Sequence, residues 1–353
     1  MIDTILDSPL SQWLRHDSKE SDHIVISSRI RFARNFDGLL FTNRNDQVSL
    51  EKVNAISRGL LQPLKDADGH RYSNISLEQL SQYERAVLVE KHLMSPALEE
   101  KLPYRSLVVS DDASIVIMVN EEDHLRIQSM APGLSLQQAY DHAVQIDKAI
   151  EAKHPYAFDE RFGYLTACPT NVGTGLRASV MLHLPALTMS GRITRLVRSI
   201  VQLGYSVRGL YGEGSDALGN IYQISNQRTM GISEESTIEQ LLKIVEGIIA
   251  EERKSRQALI HNDKESLEDV LWRSYGVLQY ARRVSGKEAL TKLSDIQLGV
   301  DLGILPDWGN DTFNELVAIT CPNFLCKYAG SEELSDLERD SYRAKVIRQK
   351  LSQ

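Results

Sequence analysis

The chain has 353 residues, 42% hydrophobic and 25% charged, so it can form a sizeable core and is expected to contain two domains. Its net charge of −8 speaks against nucleic acid as the main partner, and three cysteines are too few for a disulfide framework. No apolar run could span a membrane, and the start has no pattern of a secretory signal, so a cytoplasmic protein is expected.

Strand and helix patterns alternate through the first two thirds of the chain. Residues 24–34 alternate in the manner of a strand, and helices are predicted over 47–64 and 77–91. Strands over 106–110, 115–120 and 125–130 follow, with acidic turns between them, and a long helix is predicted over 135–153. A short strand near 164–167, an apolar stretch to 187, a helix over 188–203 and a hairpin of 207–211 with 221–225 complete this part.

The last third is almost wholly helical in pattern, with helices predicted over 236–260, 264–283, 287–302, 310–319 and 331–351. Strands that follow one another as a meander, with helices packed on them, favour an α+β fold with an antiparallel sheet. We therefore predict a sheet-containing domain over residues 20–258 and a helical C-terminal domain over residues 259–353.

Arginine outnumbers lysine by 25 to 15, although the chain is acidic. From Arg161 to Gly212 there is no Asp or Glu, and all six cations in that stretch are arginines. Arginine is the planar fork suited to phosphate and carboxylate, so an anion-binding region is the favoured interpretation. A buried apolar stretch with interfacial arginines is the alternative, and it is less favoured because Arg177 and Arg208 fall in loops that contain glycine.

A second arginine cluster lies in the segment SSRIRFARN, where strand alternation places Arg29 and Arg31 on the same face. Two neighbouring cations repel each other unless an anion lies between them. An anion site and a solvated sheet edge both remain open on these residues alone.

Three further patterns in the sequence contain residues that could carry chemistry. Gly173 to Ala178 fits G-x-G-x-x-A, but no acidic residue follows within the distance that a dinucleotide site requires. The segment NEEDHLR, from Asn120 to Arg126, fits a metal site, a guanidinium site or a plain turn, and its few histidines argue against a metal. Cys168 is either a reactive thiol in basic surroundings or a small buried hydrophobe.

Five segments together resemble a known family. SSRIRFARN, ERAVLVEKHLMSP, VNEEDHLRIQ, CPTNVGTGLRASV and RGLYGEGSDALGNIYQISN resemble, in this order, the catalytic domain of the ATP:guanido phosphotransferase (phosphagen kinase) family over residues 20–255. Within it, the chain is most similar to the bacterial protein-arginine kinases. It starts almost at the catalytic domain, it carries a helical C-terminal part, and RDSYRA resembles the RDxxRA phosphoarginine-sensing motif of those enzymes.

The resemblance implies a role for each matching residue. Catalytic roles fall to Glu122 and Glu213, which would hold the acceptor guanidinium, and to Cys168 beside it. A phosphoarginine sensor would be formed by Arg339, Asp340, Arg343 and Ala344. ATP, arriving with Mg2+, would contact Ser27, Ser28, Arg29, Ile30, Arg31, His92, Arg126, Arg177, Ala178, Ser179, Val180, Met181, Arg208, Gly209, Leu210, Tyr211, Gly212 and Glu213.

The implied function is phosphorylation of arginine in proteins, which marks them for degradation and inactivates a heat-shock repressor. The resemblance further implies a homodimer or larger assembly, the activator McsA, the repressor CtsR as a substrate, and the ClpC–ClpP protease. Two alternatives stay open. One is a kinase for a free guanidino metabolite, and the other is a non-catalytic adaptor derived from such a kinase.

Overall fold

The computed structural model describes residues 2–15, 23–100, 103–209 and 217–352. The described strands form an eight-stranded sheet in the order β2-β3-β4-β5-β1-β8-β10-β9 and a two-stranded sheet of β6 and β7. The strands are β1 Val25–Arg34, β2 Tyr72–Ser76, β3 Ser106–Ser110, β4 Ile115–Val119, β5 Leu125–Pro132, β6 Phe158–Asp159, β7 Gly163–Tyr164, β8 Leu176–His183, β9 Tyr205–Gly209 and β10 Ile221–Asn226.

Helices flank the sheet and make up most of the last third. They are α1 Ile2–Asp7, α2 Gln47–Gly59, α3 Leu61–Asp68, α4 Gln82–Glu90, α5 Leu136–Glu151, α6 Pro185–Met189, α7 Ile193–Gln202, α8 Glu234–Asn262, α9 Lys264–Tyr280, α10 Gly286–Asp301, α11 Thr312–Ile319, α12 Pro322–Ala329 and α13 Asp336–Leu351. The predicted α+β class with an antiparallel sheet and a helical C-terminal part is confirmed. Among the described residues, no helix is both long and apolar enough to cross a bilayer.

The chain forms two compact units that do not follow its order. The first contains residues 1–13, 27–179 and 225–242, and the second contains residues 14–26, 180–224 and 243–353. The boundary expected near residue 258 stays a prediction; α8 continues through that position to Asn262.

The core of the first unit lies between its strands and α5. All five residues of β4 are buried, and α5 buries a stripe spaced three and four residues apart, as an amphipathic helix does. In the register of the sheet, β1 runs antiparallel to β5, and β5 antiparallel to β4. The second unit has its own core, in which buried side chains of α9, α10, α11 and α13 form one apolar cluster.

The two helices predicted over 47–64 and 77–91 have other bounds in the structure. The helix expected over 47–64 ends at Gly59 and restarts at Leu61, because Pro63 has no N–H to donate to the carbonyl of Gly59. The helix expected from residue 77 begins at Gln82, where Ser81 forms a capping box with Glu84.

Candidate active site

Three arginines project from one face of the sheet in the first unit. Ala33 of β1 lies directly opposite Arg126 of β5. Residues directly opposite each other point to the same face, and so do residues two apart on one strand. Arg29 and Arg31 therefore share the face of Arg126, as strand alternation predicted for the first two.

β8 adds a fourth arginine to this face. Arg29 Nε donates to Ser179 Oγ at 3.4 Å, and Arg177 lies two residues before Ser179 on the same strand. Arg177 in turn donates through Nε and Nη2 to Ser225 Oγ, each at 3.3 Å. These contacts with neutral hydroxyl groups hold the two guanidinium groups in place.

Positive charge accumulates most strongly at Arg31. Its Nε is buried, and within the described residues it has no hydrogen-bond partner. Burial lowers the pKa of Arg31 well below its ordinary value, and the charges of Arg29, Arg126 and Arg177 lower it further. The charge of Glu121 acts in the opposite direction. A polyanion with several oxygens would bridge the arginines of this cluster.

Two carboxylates meet Arg126 at the edge of this cluster. Its Nη1 lies 2.8 Å from Glu121 Oε1, and its Nη2 lies 3.1 Å from Glu122 Oε2. Glu121 is buried and also accepts from Ser95 Oγ at 2.7 Å, whereas the Glu122 side chain is 42% exposed. Glu122 thus binds a guanidinium group in this structure and faces solvent beside the arginines.

Asp123 and Asn35 join the segments that carry the predicted catalytic residues. Asp123 Oδ1 accepts from Asn35 Nδ2 at 2.7 Å and from the backbone N–H of Ala167 at 2.6 Å. Asn35 Oδ1 accepts from the N–H of His124 at 2.9 Å, so β1, the turn after β4 and the loop before Cys168 are tied together. Burial raises the pKa of Asp123. Asn35 lies in SSRIRFARN and Asp123 in VNEEDHLRIQ, but the sequence patterns indicate a role for neither residue.

Cys168 lies in that loop and is half-buried. Its Sγ is 3.0 Å from Thr170 Oγ1, and its carbonyl oxygen accepts from Thr166 Oγ1 at 2.8 Å. The position leaves the sulfur within reach of solvent, unlike the buried Cys321 and Cys326.

His92 lies beside the arginine cluster with its ring uncharged. Its carbonyl oxygen accepts from Gln128 Nε2 at 2.8 Å, and its ring meets Trp13 edge-on at 6.4 Å between centroids. Burial lowers the pKa of His92 to about 4, and the charge of Arg29 acts in the same direction. A neutral ring near an apolar tryptophan suits the uncharged part of a ligand.

Other predicted ligand contacts fall on the opposite face of the strands. Ser27 is buried on the arginine face, but Ser28 lies on the other face and donates to Gly133 O at 2.8 Å. The side chains of Ile30 and Ala178 are fully buried there too. A ligand on the arginine face would meet Ile30 and Ala178 only through backbone atoms.

Arg34 shows that the arginines of SSRIRFARN do not share one task. It lies on the opposite face, is fully buried, and forms an ion pair with Asp147 at 2.8 Å. Its guanidinium carbon stands 3.7 Å from the centre of the Tyr164 ring. Arg34 is therefore a structural cation with its own carboxylate.

The remaining predicted nucleotide contacts belong to the second unit or lie outside the described residues. Val180 and Met181 continue β8, and Arg208 and Gly209 end β9. The predictions for Leu210, Tyr211, Gly212 and Glu213 fall on residues outside those that the structure describes.

The predicted sensor residues lie on α13. Arg343 is buried, and it donates to Asp340 Oδ1 at 2.6 Å, to Val284 O at 2.9 Å and to Thr320 O at 3.2 Å. Ala344 is fully buried beside it, while Arg339 is partly exposed and pairs with the carboxylate of Asp336.

Comparison with protein families assigns the chain. The model of the ATP:guanido phosphotransferase C-terminal catalytic domain matches residues 52–255, and that of the protein-arginine kinase McsB C-terminal domain matches residues 264–353. The protein-arginine kinase of Halalkalibacterium halodurans is 46% identical over 98% of this chain and 96% of its own length. The chain belongs to the protein-arginine kinases of the ATP:guanido phosphotransferase family.

Other relatives in this family agree. The protein-arginine kinase of Geobacillus stearothermophilus is 47% identical over 98% of this chain and 94% of its own length. Among solved structures, a lombricine kinase covers 66% of this chain and 67% of its own, with 25% identity and a TM-score of 0.57. The phosphagen kinase fold and the assignment made from the five segments are confirmed.

Proposed function

We propose that this chain is a kinase that transfers the γ-phosphate of ATP to the guanidinium groups of arginine side chains in proteins. The observation that carries the proposal is the set of four arginines on one sheet face with Glu122 beside them. Family membership and relatives named protein-arginine kinase support both the donor and the acceptor.

The donor binds through arginine forks rather than a lysine loop. Arg29, Arg31, Arg126 and Arg177 would each give paired N–H groups to phosphate oxygens, and the triphosphate would relieve the repulsion at Arg31. Mg2+ enters as part of the nucleotide substrate and keeps much of its water shell. Phosphoryl transfer depends mainly on positioning and charge stabilisation, which this cluster supplies.

The acceptor requires a carboxylate, because a guanidinium is a poor nucleophile while protonated. Glu122 would hold it and take its proton as a nitrogen–phosphorus bond forms and the bond from the γ-phosphorus to the bridging oxygen breaks, releasing ADP. Glu213 would act as a second clamp and Cys168 would lie beside the acceptor. Phosphate oxygens that attract Arg126 would free Glu122 for this task.

Regulation and partners extend the same proposal. Phosphoarginine would bind near Arg339, Asp340, Arg343 and Ala344, with the guanidinium at Asp340 and the phosphate at the arginines. A cytoplasmic homodimer, activation by McsA, inactivation of CtsR and delivery of marked proteins to ClpC–ClpP would complete the function. Asp340→Ala is expected to abolish the response to added phosphoarginine, measured as rate against effector concentration.

The experiment is incubation of the chain with Mg·ATP and a denatured protein, followed by mass spectrometry that preserves acid-labile phosphate. Phosphoarginine is expected on the protein, and Glu122→Gln is expected to lower its formation by about 100-fold or more. Glu78→Gln is the matched control, because Glu78 is exposed and outside the site.

Each alternative predicts a different result. Phosphorylation of free arginine alone would favour a metabolite kinase, and no transfer to either acceptor would favour a non-catalytic adaptor. Full activity of Glu122→Gln would overturn the assignment of the acceptor site.

A further inference from the structure

A polar pocket of about 260 Å³ opens next to the turn that carries Glu122. Its lining includes Asn45, Gln47, Leu50, Pro103, Arg105 and Glu121. All of these residues belong to the first unit. Of the site residues that were predicted from the sequence and that the structure describes, none lines this pocket, and the family match gives it no role.

The pocket shares a wall with the candidate acceptor site. Thr42, which also lines it, donates its hydroxyl to the backbone oxygen of Glu122. Glu121 lines the pocket and also holds Arg126. A group bound in the pocket therefore lies next to the backbone from which Glu122 projects.

The charges of the pocket leave one cation without a matching anion. Arg105 is half-buried and donates through Nη1 to Ala97 O at 2.8 Å, and in the described parts of the chain no carboxylate pairs with it. The carboxylate of Glu121 is already taken by Arg126 and Ser95. Burial lowers the pKa of Arg105, although the more distant charges of Glu100 and Glu121 oppose that shift.

We propose that this pocket is the subsite for the residues flanking the target arginine, and that Arg105 selects a carboxylate side chain there. The inference rests on the proposed function, since only an acceptor within a polypeptide brings neighbouring residues to Glu122. The side-chain amides of Asn45 and Gln47 both donate and accept, which matches a peptide bond. Arg105 forms a charge-assisted hydrogen bond with a carboxylate and repels a lysine.

The test uses three peptides, each with a single arginine, that are identical except for Asp, Asn or Lys at the positions flanking it. For the unmodified chain, kcat/KM is expected to fall from Asp to Asn to Lys, by on the order of tenfold overall and mainly through KM. Arg105→Gln is expected to remove this preference, and Arg105→Lys to retain part of it. Arg58→Gln is the matched control, because Arg58 is an exposed arginine on α2 away from the pocket.

A fourth acceptor, N-acetyl-arginine methylamide, has no flanking side chains. Its phosphorylation is expected to be unchanged in Arg105→Gln, and an equal loss on all acceptors would show a general disruption and overturn the proposal. Absence of any flank preference in the unmodified chain, or a preference that survives Arg105→Gln, would overturn it too. Failure of the unmodified chain to phosphorylate any of the three peptides would instead count against the proposed function.

Discussion

The four arginines of the anion site differ in how their charges are balanced. Arg126 is paired with two carboxylates, and Arg29 and Arg177 donate to serine hydroxyls, whereas the buried Nε of Arg31 has no partner among the described residues. Buried like charges lower stability unless a ligand neutralises them. The first unit therefore contains electrostatic repulsion that an anionic ligand would relieve.

Arg31→Met is expected to raise the free energy of unfolding of the free chain by about 1 kcal/mol and to weaken ATP binding by at least about 100-fold. Methionine keeps the apolar stem and removes the uncompensated charge. Thermal unfolding with and without Mg·ATP measures both effects, with Arg58→Gln as the control. A variant that is less stable without nucleotide would contradict this account of Arg31.

His92 gives a prediction for pH. Its pKa is about 4 in the folded chain and about 6.5 when unfolded, so the unfolded state binds the proton first as the pH falls. The folded state loses stability from pH 6.5 downward, by about 2 kcal/mol at pH 5.

His92→Asn is expected to reduce this loss between pH 7 and pH 5, and asparagine tolerates the positive φ of 58° at that position. Denaturant unfolding at the two pH values measures the difference. An unchanged pH dependence in the variant would show that other groups, such as the buried His183, cause it.

Sequence alone could predict the residues whose chemistry is visible in their type. The shared face of Arg29 and Arg31 followed from alternation, and the family segments pointed to Arg126 and Arg177. Asn35 and Asp123 could not be found in this way, because their role depends on a contact across 88 positions of the chain. Arg105 lies in no recognisable sequence motif, and its position beside Glu121 is visible only in the folded pocket.

At the scale of elements, two glycines before β8 have a reason other than the dinucleotide pattern that they resemble. A Cβ on Gly175 would stand 2.7 Å from Ala33 O and 2.7 Å from Arg34 Nη1, and its φ of +63° is left-handed. Gly173 is likewise blocked by the backbone of Thr229 at 2.3 Å. Gly175 allows β8 to approach β1, which brings Arg177 to the anion site, and Gly173 allows the chain before β8 to approach the segment after β10.

Gly175→Ala is expected to lower the free energy of unfolding by about 3 kcal/mol or more, because overpacking adds to backbone strain. Gly133→Ala is the control, since Gly133 has a φ of +56° with open space around it and should lose only about 1 kcal/mol. Equal losses at the two positions, measured by denaturant unfolding, would mean that the close approach adds nothing.

Elements with a clear apolar pattern were predicted better than elements without one. β3 was predicted with its observed bounds, since its residues form a β-branched run between turn residues. β2 was missed because its sequence, YSNIS, has few apolar residues, and its pairing with β3 compensates for them. The helix predicted over 188–203 is two helices, because Gly191 between them has a φ of +68°.

At the scale of the whole molecule, the three tryptophans are divided between the two units. Trp13 belongs to the first unit, and Trp272 and Trp308 belong to the second. Chain order could not predict this division, because each unit collects three separate stretches of the sequence.

A variant with Trp272→Phe and Trp308→Phe keeps only Trp13, which is buried against His92. At a concentration 100 times its Kd, Mg·ATP is expected to raise the free energy of unfolding by about 2.7 kcal/mol, as measured by the fluorescence of Trp13. Arg31→Met in the same background is expected to reduce this gain to about 0.4 kcal/mol or less at the same concentration. An undiminished gain in Arg31→Met would place the nucleotide elsewhere.

The alternation of arginines along β1 limits how this strand can change during evolution. Odd positions carry the cations of the anion site, and the even position 34 carries the one that is neutralised inside the protein. Because a shift of one residue moves every side chain to the other face, a single insertion or deletion would exchange the two sets. Such a shift would place Arg31 on the opposite face with no carboxylate such as Asp147 to pair with, and it would place an aromatic side chain on the ligand face. This strand can therefore vary by substitution but not in length.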